Sequence, residues 1–375
     1  MTSEWHEVPL RELVGYISKG IAPSYAEEAS ETTIRVLNQK CNRNFRISYG
    51  DSRLHDTLKK KVPPERYVKP DDILINSTGA GTAGRIAQIE DVPSATTIDG
   101  HMILIRSNRK VTQKFLGYAL KAHQWEVLQL DEGSTGQTEL NRDRLLDEIM
   151  INYPVSFDEQ NAIVGTLESI DRKLIVNEQL NDNLELQAQA IYSYMFIENA
   201  DPAWVQGHLS DLITVKYGKD HKKLADGSYP VYGSGGIMRY VERPLYDKES
   251  VLIPRKGTLN NVMYVNQPFW SVDTMFYTEM RLPNVAKFVY HFVKAKDLAS
   301  MNAGSAVPSM TTDILNAMEV VIPSTSALAE FESLVDPMYR AMQENNIQSS
   351  KLSELRDALL PKLMSGEIDV SDIQL

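Results

Sequence analysis

Residues 159–196 read EQNAIVGTLESIDRKLIVNEQLNDNLELQAQAIYSYMF, and this stretch decides the fold of the 375-residue chain. Apolar side chains recur in it at alternating spacings of four and three residues, which is the heptad pattern of a helix that packs on another helix. The stretch therefore predicts one long helix with a seam along one face. The predicted seam consists of Ile163, Leu167, Ile170, Leu174, Asn177, Asn181, Leu184, Ala188, Ile191 and Met195.

The same seam recurs 168 residues further along the chain. Arg356 departs from the apolar pattern, and Pro337 predicts that the second helix begins late or bends there, because proline cannot continue the helical hydrogen bonds. Gly366 is typical of the residue that follows a helix. The second seam consists of Phe331, Val335, Met338, Met342, Asn345, Ser349, Leu352, Arg356, Leu359 and Leu363.

Two long helices with matching seams most simply pack on each other antiparallel, about a pseudo-two-fold axis. Asn177 and Asn345 would then meet where the helices cross. A polar residue in an apolar seam fixes the register of a helix pair at a cost in stability. The alternative is that both asparagines face solvent.

The regions around the helices are an internal repeat. DDILINSTG (71–79) corresponds to ESVLIPRKG (249–257), and KFLGYALKAH (114–123) corresponds to KFVYHFVKAK (287–296). The order of these segments is the same in both copies, which indicates duplicated domains. We therefore predict an α+β chain with two tandem, pseudo-repeated α/β domains separated by two long helices that form an antiparallel coiled coil. The predicted segments are a first domain (1–155), a central helix (156–200), a second domain (201–323) and a C-terminal helix (324–375).

Gly79, Gly81 and Gly84 spell the G-x-G-x-x-G pattern of a dinucleotide-binding turn. Such a turn needs a helix that begins at the third glycine. Here RIAQI (85–89) alternates like a strand, and the second copy replaces the glycines while keeping its following strand, VMYV (262–265). The pattern favours a strand, a small-residue loop and a strand. A nucleotide-binding enzyme that uses the Gly79–Gly84 loop is the alternative.

The net charge of −11 argues against a uniformly basic nucleic-acid-binding surface. The acidic excess lies in the two helical segments, however, and residues 35–69 form a local basic field. A solvated charged face is the alternative for each basic patch. Arg, Asn and exposed hydroxyl groups are the side chains that contact phosphates and base edges. The candidate DNA-binding residues are Arg43, Arg46, Lys59, Lys60, Lys61, Ser77, Thr78, Thr82, Arg85, Lys219, Lys222, Lys223, Arg255, Lys256, Asn260 and Asn261.

The sequence shows no catalytic constellation and predicts no cofactor and no metal. A single cysteine, Cys41, and scattered histidines give no metal-ligand spacing. A P-loop is absent, and VPPERY (62–67) lacks the residues that an amino-methyltransferase motif needs. No segment has the roughly 20 apolar residues of a membrane span, and we expect a cytoplasmic protein.

The whole chain resembles the specificity subunit of type I restriction-modification systems. The resemblance rests on DDILINSTGAGTAGRI, ESVLIPRKGTLNN, the junction INYPVSFDEQNAIVGTLESIDRKL and the closing LLPKLMSGEI, in the order domain, helix, domain, helix. The second junction, IPSTSALAEF, lacks the Glu-Gln pair of the first, which puts an identical partner contact on both sides in doubt.

This resemblance implies a function that the residues alone do not give. Each domain would be a target recognition domain that reads one half of a bipartite site on double-stranded DNA, and the helices would set the spacer. The implied protein partners are two adenine methyltransferase subunits, docked on the helices, and the restriction and translocase subunits of the full complex. A coiled-coil interaction protein without DNA specificity is a further alternative.

Overall fold

The computed structural model describes residues 4–79, 81–132, 139–301 and 309–370. The chain forms two compact units, of which the first comprises residues 1–175 and 348–375 and the second residues 176–347. Each unit contains one repeated domain and part of both long helices. This division cuts the helices where the predicted four-part division kept them whole, and the four domain boundaries stay a prediction.

The first unit is built on a four-stranded antiparallel sheet. Its strands lie in the order Val14–Lys19, Met102–Ser107, Ile73–Asn76, Ile86–Gln88. Most side chains of the two central strands are buried, which is why those strands read as continuous apolar runs. The first unit also contains one further four-stranded sheet, with the strand order Thr96–Ile98, Thr33–Leu37, Arg53–Asp56, Tyr25–Ala26. Its two-stranded sheets are Trp5–Pro9 with Met150–Pro154, Asn42–Arg43 with Arg46–Ile47, and Asp131–Glu132 with Glu139–Leu140. The helices of the domain are Gln113–Ala122, Gln124–Val127 and Arg142–Glu148, with shorter 3₁₀ turns at Leu10–Glu12, Gln39–Cys41 and Pro64–Arg66.

The second unit repeats this arrangement. Its four-stranded sheet has the order Ile213–Tyr217, Met275–Met280, Ser250–Pro254, Met263–Val265, which matches the first sheet strand for strand. The internal repeat predicted from the sequence is therefore confirmed. The other elements are Val205–His208 paired with Glu319–Ile322; Gly236–Val241, Asp226–Gly233 and Trp270–Ser271; and the helices Leu209–Leu212, Ala286–Lys294 and Thr312–Asn316.

The two long helices are Phe157–Ser193 and Thr325–Met364, called here the first and second long helix. In the first unit, Asp171 pairs with Arg356. In the second unit, Asn181 pairs with Asn346. Residue numbers rise along one helix as they fall along the other, so the helices are antiparallel, as predicted.

Of the two outcomes predicted from Pro337, the late start of the second long helix is wrong, and the bend stays a prediction. The helix begins at Thr325, twelve residues before Pro337, and continues to Met364. Pro337 is exposed, while Val335 and Tyr339 on either side are buried in the core of the second unit. Packing of these neighbours holds the helix through a residue that locally disfavours it. Beyond the helix, Gly366 has the left-handed φ of 74° predicted for the residue at this end.

Candidate nucleic-acid interface

The glycine-rich loop is a turn between two antiparallel strands. Gly79, Gly81 and Gly84 have φ values of 116°, 68° and 84°, which only glycine adopts without strain. The strand Ile86–Gln88 follows the third glycine directly and pairs with Ile73–Asn76. A dinucleotide turn would begin a helix there, so the nucleotide-binding alternative lacks the structure that it requires.

The loop lies beside a groove of about 770 Å³ in the first unit. Three candidate residues, Arg43, Thr82 and Arg85, line it together with Lys40. Positive side chains therefore converge on one concave surface, although the chain as a whole is acidic. A groove of this kind suits an anionic ligand. Its remaining lining residues are Gln39, Asn42, Asn44, Phe45, Gly79, Ile86, Gln124 and Leu128.

Hydrogen bonds fix the loop beside the groove. Asn42 Nδ2 donates to the main-chain oxygen of Arg85 at 2.8 Å and to Asn76 Oδ1 at 3.2 Å. Asn42 is buried, and among the described residues its Oδ1 has no hydrogen-bond partner. An unpaired buried acceptor costs about 1–3 kcal/mol. Such a group is tolerated where a bound ligand or water completes it.

The hydroxyl groups of the loop are already committed within the protein. Ser77 is fully buried and its hydroxyl donates to the main-chain oxygen of Gly100, so we remove it from the proposed contact residues. Thr78 Oγ1 lies 2.7 Å from His101 Nδ1 and donates to Gln39. Thr82 Oγ1 donates to the main-chain oxygen of Gly79. These contacts shape the loop, and the basic side chains around it remain the candidate contacts for an anionic ligand.

The lysine cluster that the sequence singled out does not line the groove. Lys59, Lys60 and Lys61 are all exposed. Lys59 Nζ lies 3.7 Å from Asp56, and Lys60 Nζ donates to the main-chain oxygen of Ala22. Their role in DNA binding stays a prediction, separate from the groove.

In the second unit, main-chain hydrogen bonds bring the equivalent loop and another basic residue to one turn. The main-chain amides of Arg255 and Lys256 both donate to Thr274, and the amide of Lys219 donates to Ser271 in the same turn. The guanidinium of Arg255 also lies 5.3 Å from the ring centroid of Tyr217. Lys222 and Lys223 are exposed just beyond Lys219.

Asn260 and Asn261 are hydrogen-bonded within the domain. Asn260 Nδ2 donates to Asp297 at 3.0 Å, and its Oδ1 accepts from the amide of Ala299. Asn261 Nδ2 donates to the main-chain oxygen of Ser234 at 2.8 Å. Asn260 uses both ends of its amide group in this way, so bidentate adenine readout would require it to break these bonds.

All twenty seam positions are buried or half-buried. The asparagines form a short ladder in the second unit. Asn345 Nδ2 donates to Asn181 Oδ1 at 2.9 Å, and Asn181 Nδ2 donates to Asn346 Oδ1 at 2.8 Å. Asn177 is fully buried and its Nδ2 approaches the main-chain oxygen of Asn345 at 3.4 Å. The ladder gives the helix pair a polar register contact.

The two repeats attach to the long helices through equivalent positions. In the first, Lys114 Nζ donates to Glu168 at 2.6 Å. In the second, the equivalent Lys287 donates to Glu332 at 2.5 Å and to Asp336 at 3.2 Å. Each lysine lies at the start of a domain helix and contacts a carboxylate of a long helix. This ion-paired contact joins each domain to the helices that carry it.

A second pair of positions completes each junction. Tyr118 donates to Asp171 at 2.8 Å, and its equivalent, His291, lies 2.9 Å from the Tyr339 hydroxyl. Burial raises the pKa of Asp171, but Lys121 and the other donors around it lower that pKa by more than burial raises it. The pKa is therefore below its usual value, and the carboxylate stays ionised. Burial lowers the pKa of His291 from 6.5 to about 4, so its ring is neutral at physiological pH.

The sequence analysis missed Lys40 and Asn44 as part of the groove. Lys40 follows Asn38, which caps the short turn Gln39–Cys41. Asn44 lies between two very short strands that no hydrophobic pattern marks. The sequence signal that could have found Lys40 and Asn44 is the run of polar and basic residues within the basic field of residues 35–69.

No group of three or more potential metal ligands occurs in the described ranges. The same part of the chain contains no helix that is long and apolar enough to cross a membrane.

Comparison with known proteins agrees with this architecture. The family model described as type I restriction modification DNA specificity domain matches residues 2–186 and 203–344, one match in each repeat. The chain is 22% identical over 371 residues to the MjaIX specificity subunit of Methanocaldococcus jannaschii, covering 87% of this chain and 84% of that protein. A candidate type I specificity subunit of Mycoplasma genitalium is 24% identical over 270 residues, or 67% of this chain and 70% of that one.

A solved structure has the same fold. The crystal structure of a type I restriction-modification S subunit from M. genitalium aligns with a TM-score of 0.60 over 97% of this chain and 99% of that one, at 19% identity. The tandem domains and paired helices thus define a two-domain specificity-subunit architecture. Since the family model covers well over half of the residues, the chain belongs to the type I restriction-modification DNA specificity family.

Proposed function

We propose that this chain is the non-catalytic subunit that selects the DNA sequence in a type I restriction-modification complex. Domains 1–155 and 201–323 each bind one half of a bipartite site on double-stranded DNA. The observation that carries the proposal is the repeat itself: two domains with the same strand order, each attached to a pair of antiparallel helices. Duplicated readers on a common support suit a site with two parts.

The groove in the first unit supports DNA binding. Lys40, Arg43 and Arg85 line it, and Arg and Lys are the side chains that contact phosphates and guanine. In the second unit, Arg255, Lys256 and Lys219 flank one turn. The acidic excess of the chain lies in the helical segments, so it does not oppose these local fields.

The long helices set the unread spacer and bind the partner subunits in this proposal. The first long helix has 37 residues and is therefore about 55 Å long at about 1.5 Å per residue. Its outer face carries exposed apolar side chains, among them Val176, Leu180 and Leu186. We expect adenine methyltransferase subunits, two per complex, to cover this kind of surface, and the restriction and translocase subunits to join them. Catalysis and cofactors would belong to these partners, in the cytoplasm.

The first test is a genome-wide map of methylated adenines in the source cell, with and without this gene. The proposal predicts that one gapped, two-part motif loses its methylation. A map that stays the same in a cell whose partner methyltransferase is present and expressed would refute it.

The spacer role has its own test. Seven residues would be inserted after Lys173 and seven after Ser350. An insertion of seven residues keeps the heptad phase of each helix. Both insertions lie between the Asp171–Arg356 contact and the Asn177–Asn345 contact. The added length is about 10 Å, or at most about three base pairs. A longer spacer with unchanged half-sites is expected. An unchanged spacer in a folded, methylating variant would refute the idea that helix length sets it, and an insertion in one helix alone is the control.

A further inference from the structure

We propose that residues 42–47, called here the tip hairpin, read base edges in the major groove of the half-site bound by the first domain. In this proposal, which rests on the proposed function, Asn44 contacts an adenine and Arg43 contacts a guanine. The residues in these two positions would then determine part of the target sequence. The proposal follows from the backbone of the turn, from the separation of its side chains and from the charges around it.

The tip hairpin is a two-residue turn between the strands Asn42–Arg43 and Arg46–Ile47. Both turn residues are left-handed, with φ of 53° at Asn44 and 61° at Phe45. Such turns normally use Asn-Gly, and a bulky residue at the second position is strained. Strain of this kind persists where the surroundings hold it and is concentrated at functional sites. A two-stranded ribbon also fits the major groove of DNA.

The two turn residues point to different environments. Phe45 packs against the core of the first unit, and Lys121 Nζ lies 5.0 Å from the centroid of its ring. Asn44 is exposed. Phe45 therefore anchors the turn, and its packing offsets the strain, while Asn44 is left at the tip with its amide group available to a ligand.

The charges of the tip hairpin favour an anionic partner. Arg43 and Arg46 are directly opposite each other across the ribbon, an arrangement in which like charges repel. Arg85 and Lys40 add positive charge in the adjoining groove. Among the residues that the structure describes, the Arg43 side chain has a single ion-pair contact, a long one with Asp51 at 4.0 Å.

Residue type and position together assign the base and phosphate contacts. Asparagine matches the N6 and N7 edge of adenine, and arginine matches the O6 and N7 edge of guanine. Lys40 and Arg85, which line the groove beside the turn, suit the phosphates that position the duplex. The tip hairpin would thus combine two reading side chains with a phosphate cradle.

The test is selection of bound sequences from random double-stranded DNA by the full chain assembled with its methyltransferase subunits. The Asn44→Gly variant removes the reading side chain and keeps a residue that prefers the left-handed conformation. The matched control is Asn284→Gly in the second domain, where another exposed asparagine has φ of 58°.

The proposal predicts that Asn44→Gly relaxes one adenine position in a single half-site, with a loss of discrimination of roughly 5- to 150-fold. The other half-site and the spacer should remain. Asn284→Gly should leave the whole motif unchanged. A motif that keeps every position in Asn44→Gly, or a uniform loss of affinity for all sequences, would overturn base reading by the tip hairpin while leaving the proposed function intact.

Two more variants keep the test decisive if Asn44→Gly does not assemble. Arg43→Gln should relax a guanine position in the same half-site. Lys40→Gln should weaken all sequences alike and reduce the slope of log affinity against log salt by about one. A wild-type complex that selects no bipartite motif would overturn the proposed function and this inference together. If the base preferences relaxed by Arg43→Gln lie in the other half-site, the inference alone fails.

Discussion

Replacing Lys287 with methionine should destabilise the second unit far more than the same change at the equivalent Lys114. The Lys287 side chain is 1% exposed and lies within 3.5 Å of three carboxylates, those of Glu249, Glu332 and Asp336. Burial lowers the pKa of Lys287, but these carboxylates raise that pKa by more than burial lowers it. The pKa is therefore above its usual value, and the ammonium remains charged. Methionine has a similar volume and cannot balance their charges.

The magnitude follows from burial. Removing one partner of a buried ion pair costs about 3–5 kcal/mol, because the remaining charge is buried without compensation. The three carboxylates here keep a fifth to a third of their side-chain surface exposed, which places the expected loss near the lower limit, at about 3 kcal/mol. Lys114 is 42% exposed and pairs with a single carboxylate, Glu168, so its loss should cost no more than about 1 kcal/mol.

The assay is urea unfolding of the full chain, with hydrogen-exchange mass spectrometry to assign each transition to a unit. Lys287→Met should lower the unfolding free energy of the second unit at pH 7. Equal losses for Lys287→Met and Lys114→Met would refute this reasoning.

Two further predictions concern the stability of each unit. Burial lowers the pKa of His291 from 6.5 to about 4. Because the folded protein resists protonation of this ring, the second unit should lose stability as the pH falls from 6.5 towards 4, by at most about 3 kcal/mol. The unfolding free energy of His291→Gln, measured over the same pH range, should lack this pH-dependent loss. Gly84→Ala should cost more than Gly81→Ala: both glycines are left-handed, but only at Gly84 would a Cβ meet a backbone atom, the oxygen of Val127 at 2.9 Å. Gly81→Ala should cost about 1 kcal/mol of unfolding free energy, and equal losses would contradict the steric argument.

The helices and the repeated sheet were predictable because burial imposes a period on the sequence. A helix face that packs on another helix shows spacings of three and four, and a central strand buried on both faces shows a continuous apolar run. Pro337 misled the prediction because its local preference is overridden by the packing of Val335 and Tyr339, which are buried on either side of it. Long-range contacts of this kind are not visible in a window of sequence.

The candidate interface was only partly predictable, because its details depend on partners that are distant in the chain. Asn260 reads as a base-contacting residue, but its amide is held by Asp297 and Ala299. Ser77 reads as an exposed loop hydroxyl, but it is fully buried. The tip hairpin escaped the sequence analysis because its Asn44-Phe45 turn lacks the Asn-Gly signature of two-residue turns.

The two repeats differ where the proposed function requires them to differ. One junction contact keeps its chemistry: Lys114 with Glu168 in one copy, and Lys287 with Asp336 in the other. The loops after the central strands do not, since one carries three left-handed glycines and the other carries Arg255 and Lys256. A support that holds both domains alike needs the same junction twice, whereas loops with different side chains present different hydrogen-bond patterns to DNA. We therefore expect the two half-sites to differ in sequence, and a palindromic pair of half-sites in the methylated motif would contradict this expectation.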